Sequence, residues 1–174
     1  MNAPKIPCSQ GFTLIELLIA IGIMAITLGI GLPSVQSAIT RTRLTSTAND
    51  MVVALQGARS ESIKQVRFAG VSIAVDGLSW YSFLDSSTIG AAPLGSLLQT
   101  YTAASGVTLT VTSLGATDET PTYRPDGRLG SNTVITMELS ASGGSEQRRV
   151  YIEPSGRVGV CVLPAPDPSS PCPH

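Results

Sequence analysis

From Phe12 to Leu32 the chain carries only three polar side chains, Thr13, Glu16 and Thr27. As an α-helix these 21 residues would extend roughly 32 Å, the thickness of a bilayer's hydrocarbon core. The pattern predicts a membrane-spanning helix over residues 12–33, weakened near its end by Gly29, Gly31 and Pro33. After Pro33 apolar residues recur at steps of three and four: Val35, Ile39, Leu44, Ala48, Met51, Val52, Leu55, Ala58 and Ile63. That spacing predicts an amphipathic helix over residues 34–66, ending near Gln65, with one apolar stripe. Arg41, Arg43, Asn49, Arg59 and Lys64 fall off the stripe; Arg41 and Arg43 lie on a solvated face, the favoured reading, or meet lipid headgroups or nucleic acid.

Beyond Val66 the period changes to two. FAGVSIAV and SWYSFL read as a hairpin turning at Asp76-Gly77. Val107, Leu109 and Val111 alternate with threonines, and Ile135, Met137 and Leu139 alternate with polar residues. Val150 and Ile152 alternate with Arg149, Tyr151 and Glu153, then a Pro154-Ser155-Gly156 turn leads into RVGVCV. Six or seven short strands make residues 67–163 a β domain, and packed on the one long helix they give an α+β fold. Ser86–Ser105 reads as a loop or insertion, and residues 164–174 as a Pro-rich tail.

Composition narrows the chemistry. Apolar residues make up 43% and charged ones 13% of 174 positions, too apolar for a disordered chain. Net charge is −1, so no global basic field draws a polyanion. The one histidine, His174, is the last residue. With no nucleophile beside a base, no phosphate-cradling loop and no metal cluster in the pattern, an enzyme is not expected, nor a metal or cofactor. Cys161 and Cys172 are suited to a small disulfide loop if the domain lies outside the cytoplasm, and otherwise are two thiols in a tail.

The apolar run admits three fates: removal as a secretory signal, retention as a plain anchor, or cleavage ahead of it. The residues behind it, PSVQSAIT, offer only a weak site for the first. Met1 to Gly11 followed by FTLIELLIAI resembles a type IV prepilin signal. The resemblance implies a leader, residues 1–11, cut by a prepilin peptidase between Gly11 and Phe12, with N-methylation of Phe12. It makes Glu16 the family's assembly glutamate, fifth in the mature chain, and Pro33 its helix-bending proline. A carboxylate in hydrocarbon is costly unless paired, so it marks function. Its implied partner is the Phe12 α-amino group of a neighbouring subunit. Gly22, Ala25 and Gly29 share a helix face, either to let helices approach or because small residues are common in membrane helices.

LTSTANDMVVALQGARSESIKQ, TYRPDGRL and VYIEPSGRVGVC then resemble the GspH/FimT branch of pseudopilins and minor pilins. The implied fold is pilin-like: a long N-terminal helix, membrane-spanning in its first half, packed on an antiparallel β-sheet domain. The implied function is a structural subunit of a type II secretion pseudopilus or a type IV pilus. Such a subunit is held in the bacterial inner membrane with its C-terminal domain in the periplasm, and its partners are other pilins or pseudopilins. The alternative is a DNA-binding minor pilin for natural transformation. Members of that kind carry a G-R-x-R motif; here Gly156-Arg157-Val158-Gly159 keeps Arg157 and lacks the second arginine. Arg148 and Arg149 are the candidates to compensate, flanked by Glu146 and Glu153. DNA is therefore the less favoured partner, and Arg157 is expected instead to be a turn residue making structural hydrogen bonds.

Overall fold

The computed structural model describes residues 12–74, 76–85, 96–113, 120–142 and 146–163. The chain forms two compact units, Met1–Ala38 and Ile39–His174. One helix, α1 (Leu14–Gln65), supplies the described part of the first unit apart from Phe12 and Thr13, and enters the second. The backbone stays helical across residues 29–33. Pro33 removes a single backbone donor, and a helix this long propagates past one missing bond.

The second unit continues as β1 (Phe68–Ile73), β2 (Ser79–Asp85), β3 (Ser96–Thr102), β4 (Val107–Ser113), β5 (Thr122–Tyr123), β6 (Ile135–Ala141), β7 (Gln147–Ile152) and β8 (Val158–Leu163). They build two four-stranded sheets, ordered β3-β2-β1-β5 and β4-β6-β7-β8. Every pairing is antiparallel. The expected hairpin forms, with Phe68 opposite Asp85 and Ile73 opposite Trp80. Its turn docks on the other sheet through the Leu109 N–H, which donates to the Gly77 carbonyl at 2.9 Å.

Leu44, Ala48, Met51, Ala54, Leu55 and Ala58 of α1 share one core with Val71, Trp80 and Leu84 of the first sheet. From the second sheet Val107, Leu109, Met137, Leu139, Val150 and Ile152 join them. Each large side chain buried there contributes about 1.5–3 kcal/mol. The apolar stripe is shorter than its spacing implies: Val35, Ile39 and Ile63 are exposed, because the sheets cover α1 only between Leu44 and Ser62. Thr47 and Ser62, polar by sequence, are buried on the covered face. Their hydroxyls are satisfied, Thr47 Oγ1 accepting the Ala104 N–H at 3.2 Å and Ser62 Oγ donating to the Arg59 carbonyl at 2.7 Å.

The stretch Ser86–Ser105, read as a loop, contains a strand. β3 pairs with β2, Trp80 lying opposite Tyr101 with their rings stacked at 5.8 Å. β3 is an edge strand exposed along nearly its whole length, so it lacks the buried face that writes an alternating pattern. Residues 86–95 lie outside the described ones.

α1 ends on an unusual residue. The Arg67 N–H donates to the Ser62 carbonyl at 3.1 Å, closing the helix in the way that normally uses glycine, but Val66 stands at φ 52°. A β-branched residue in the left-handed region is strained by roughly 1–2 kcal/mol. Val66→Gly should therefore stabilise the fold by about 1 kcal/mol, after the extra chain entropy that glycine loses on folding. Urea unfolding of the full chain in detergent should show a raised midpoint with an unchanged slope. A lowered midpoint would mean that the valine side chain stabilises more than its backbone costs.

Candidate functional site

Phe12, the first described residue, is 82% exposed. Thr13 caps α1: its Oγ1 accepts the Glu16 N–H at 3.3 Å, and its carbonyl accepts the Leu17 N–H at 3.2 Å. The stretch T-L-I-E thus has the spacing of a capping box, with Glu16 in the first helical turn. Its negative charge also sits favourably at the positive end of the helix dipole. Sequence reading assigned Glu16 an assembly role and overlooked this local one.

From Leu14 to Leu28 the large apolar side chains are exposed all round the helix within this unit. Thr27 hides its hydroxyl by donating to the Met24 and Ile23 carbonyls at 2.9 and 3.1 Å. A Cβ added at Gly22 or Gly29 would meet nothing. Among the described residues no helix is long and apolar enough to cross a membrane. The described side chains of this run stop at Gly29, short of the about 20 residues a crossing takes. Residues 1–11, Gly11 among them, lie outside the described residues, as does the side chain of Pro33.

The second unit holds a basic cluster at the C-terminal end of α1. Two turns there have the same construction, Arg124-Pro125-Asp126-Gly127-Arg128 and Glu153-Pro154-Ser155-Gly156-Arg157. In each, the N–H of the first residue donates to the carbonyl of the fifth, at 2.8 and 2.9 Å, and the glycine N–H donates back to the first carbonyl, at 2.8 Å in both. Asp126 Oδ1 and Ser155 Oγ accept the N–H of the arginine two residues on, Arg128 and Arg157, at 3.0 and 3.3 Å. Gly127 and Gly156 occupy φ 76° and 83°. The turns stack, Gly156 lying against the Gly127 carbonyl and the Leu129 N–H donating to the Pro154 carbonyl at 3.2 Å.

Arg59 of α1 clasps both turns. Its Nε donates to the Gly127 carbonyl at 2.8 Å and its Nη2 to the Ser155 carbonyl at 3.4 Å. Beside it the buried Tyr123 hydroxyl has no hydrogen-bond partner among the described residues. Burial pushes this phenol well above its ordinary pKa, and the positive charge of Arg59 offsets part of that. Sequence reading placed Arg59 off the apolar stripe and went no further. The signal available was the P-x-G-R spelling, present twice, at 125–128 and 154–157.

The three arginines proposed as a DNA patch do not gather. Successive residues of a strand face opposite sides, so Arg148 and Arg149 diverge. Arg149 lies opposite Glu138 and is ion-paired to it at 2.6 Å, with side chains 13% and 31% exposed. Arg157 is exposed beyond the other end of β7, where Ile152 pairs with Val158. Gly159, which stands where the second arginine would, has a packing reason of its own. It pairs with Tyr151, whose ring lies across it, so any Cβ there would collide with that ring. Tyr151 is buried on the outer sheet face for this reason.

On α1, Arg41 is ion-paired to Glu146 at 2.6 Å and Arg43 Nη1 donates to the Ser105 carbonyl at 3.1 Å. Both partners lie in the protein itself. Cys161, on β8, is disulfide-bonded; Cys172 lies outside the described residues.

The chain matches the family described as Type II transport protein GspH over residues 47–156. Residues 6–32 match the prokaryotic N-terminal methylation motif. The crystal structure of the type IV minor pilin FimU from Pseudomonas aeruginosa is similar, with a TM-score of 0.57 at 22% identity over 70% of this chain and 90% of that one. The minor pseudopilin EpsH from the type 2 secretion system of Vibrio cholerae is similar too, with a TM-score of 0.51 at 16% identity. That match covers 68% of this chain and 96% of the other. Both likenesses establish the fold. No curated protein matches the chain.

Proposed function

The chain belongs to the family of type II transport protein GspH, and from that premise we propose that it is a structural minor subunit of a type II secretion pseudopilus or a type IV pilus. Residues 1–11 are a leader removed by a prepilin peptidase between Gly11 and Phe12, and the new Phe12 amine is methylated. Residues 12–33 then hold the subunit in the inner membrane, with residues 39–163 in the periplasm. Pilins or pseudopilins are its neighbours, reached through the N-terminal helix.

The observation that carries this reading is the first unit's surface. Its large apolar side chains face outward on every side, which in water would be a heavy cost and in lipid or a helical bundle is none. The internally bonded Thr27 hydroxyl suits the same surroundings. Glu16 is the one charged group in the run, placed to pair with a neighbour's Phe12 amine. An oxidising periplasm also suits the disulfide at Cys161, for which Cys172 is our assigned partner, Cys8 leaving with the leader. DNA uptake has less support, since Arg149 is neutralised by Glu138 and Gly159 is taken up by Tyr151.

Deleting the protein from its host should abolish either filament assembly or secretion across the outer membrane, and the full-length chain should restore it. Which of the two is lost assigns the system. Loss of neither would refute the reading.

A further inference from the structure

We propose that the stacked turns at the end of α1 form a docking face for a carboxylate-bearing protein surface, with an apolar centre and an arginine rim. This goes beyond the assembly role of the N-terminal helix, and it stands or falls independently of Glu16. Arg67, Arg128 and Arg157 are exposed, and their side chains make no hydrogen bond or ion pair among the described residues. The fold brings them to one place. Arg128 and Arg157 close the two stacked turns, and the pairing of Ala69 with Tyr123 and Gly70 with Thr122 runs back toward Arg67 beside the first turn. Arg59 fixes both turns from beneath, so the rim is held by rigid backbone.

The centre of this face is apolar. Ile63 is 50% exposed and packs on Gly127, and Val66, 73% exposed, is the residue held at positive φ. A strained valine presented to solvent is a backbone cost that the fold itself does not reward. Exposed apolar residues ringed by arginine are the make-up of protein interfaces, where arginine is enriched and binding centres on desolvated apolar anchors.

A nucleic acid fits less well. Asp126, Glu153 and Glu61 stand within the same cluster, the last already bonded to Lys64 at 3.0 Å. The chain also has twelve acidic against eleven basic residues, so no long-range field gathers phosphate. The unpaired guanidinium groups instead suit bidentate capture of individual carboxylates.

A photo-crosslinking amino acid at Gln65, in the full chain expressed in its native host, tests the proposal. The expected result is one protein adduct, with the crosslink mapping beside aspartate or glutamate on the partner. Arg128→Glu with Arg157→Glu should reduce that adduct at least tenfold at unchanged protein level, and Arg128→Lys with Arg157→Lys should retain most of it. An adduct indifferent to charge reversal, an adduct to nucleic acid, or none at all would overturn it.

Discussion

Replacing Glu16 by valine should leave the chain cleaved and inserted but reduce its incorporation into filaments or their initiation complex by tenfold or more. Insertion should not suffer, because the change removes a charged group from an apolar run. Incorporation should, because in the proposed assembly the carboxylate is the counter-charge for a neighbour's Phe12 amine, and hydrogen bonds to charged groups contribute about 1.5–3 kcal/mol, roughly one to two decades in an equilibrium. Glu16 also occupies the third helical position after the Thr13 cap, so a local explanation must be separated. Glu16→Gln keeps a residue competent for the capping box but discards the charge. If the ion pair governs assembly, Gln should fail nearly as badly as Val. If capping governs it, Gln should restore incorporation. Normal assembly with Glu16→Val as the only copy would remove the carboxylate from the mechanism.

Gly156→Ala should destabilise the second unit by about 3 kcal/mol or more. Two costs add. At φ 83° a Cβ meets the ordinary left-handed penalty of roughly 1–2 kcal/mol. It would also drive into the Gly127 carbonyl and stand 3.1 Å from Arg59 Nε, prising apart the stacked turns and the clasp that joins them to α1. Gly106 supplies the control, since it has φ 81° with open space around its missing side chain. Gly106→Ala should cost only the first penalty. Thermal unfolding of the full chain in detergent, followed by the near-ultraviolet signal of Trp80, should fall by roughly 6–12 °C for Gly156→Ala and by about half that or less for Gly106→Ala. Equal shifts would show that the stacking of the turns contributes nothing.

Much of this molecule is legible along the chain because burial follows periodicity. The end of α1 at Gln65, the hairpin at Asp76-Gly77 and the inward set Ile135, Met137 and Leu139 all follow from one-sided burial. What escaped has the opposite character. β3 has no buried face, so its residues carry no alternation. Arg59 works through carbonyls of residues far along the chain, and a hydrogen bond to backbone leaves no mark on the identity of its partner. Gly159 read as an arginine lost, because a glycine cleared for a neighbouring ring looks the same in sequence as one with no role. Arg148 and Arg149 seemed a pair by adjacency, and adjacency in a strand separates side chains. At the N-terminus, chemistry was written in full. G-F-T-L-I-E holds the proposed cleavage junction, the Thr13 cap and the one charge of the apolar run in six consecutive residues.

The central claim, that this is a processed pilin-type subunit, rests on the Gly11–Phe12 junction. Intact-mass measurement of the protein purified from its native membranes addresses it directly. The account predicts, after reduction of the disulfide, a chain that begins at Phe12 and carries one methyl group more than the unmodified residues 12–174. A chain that still begins at Met1, or one cut behind the apolar run after Ser37, would contradict it.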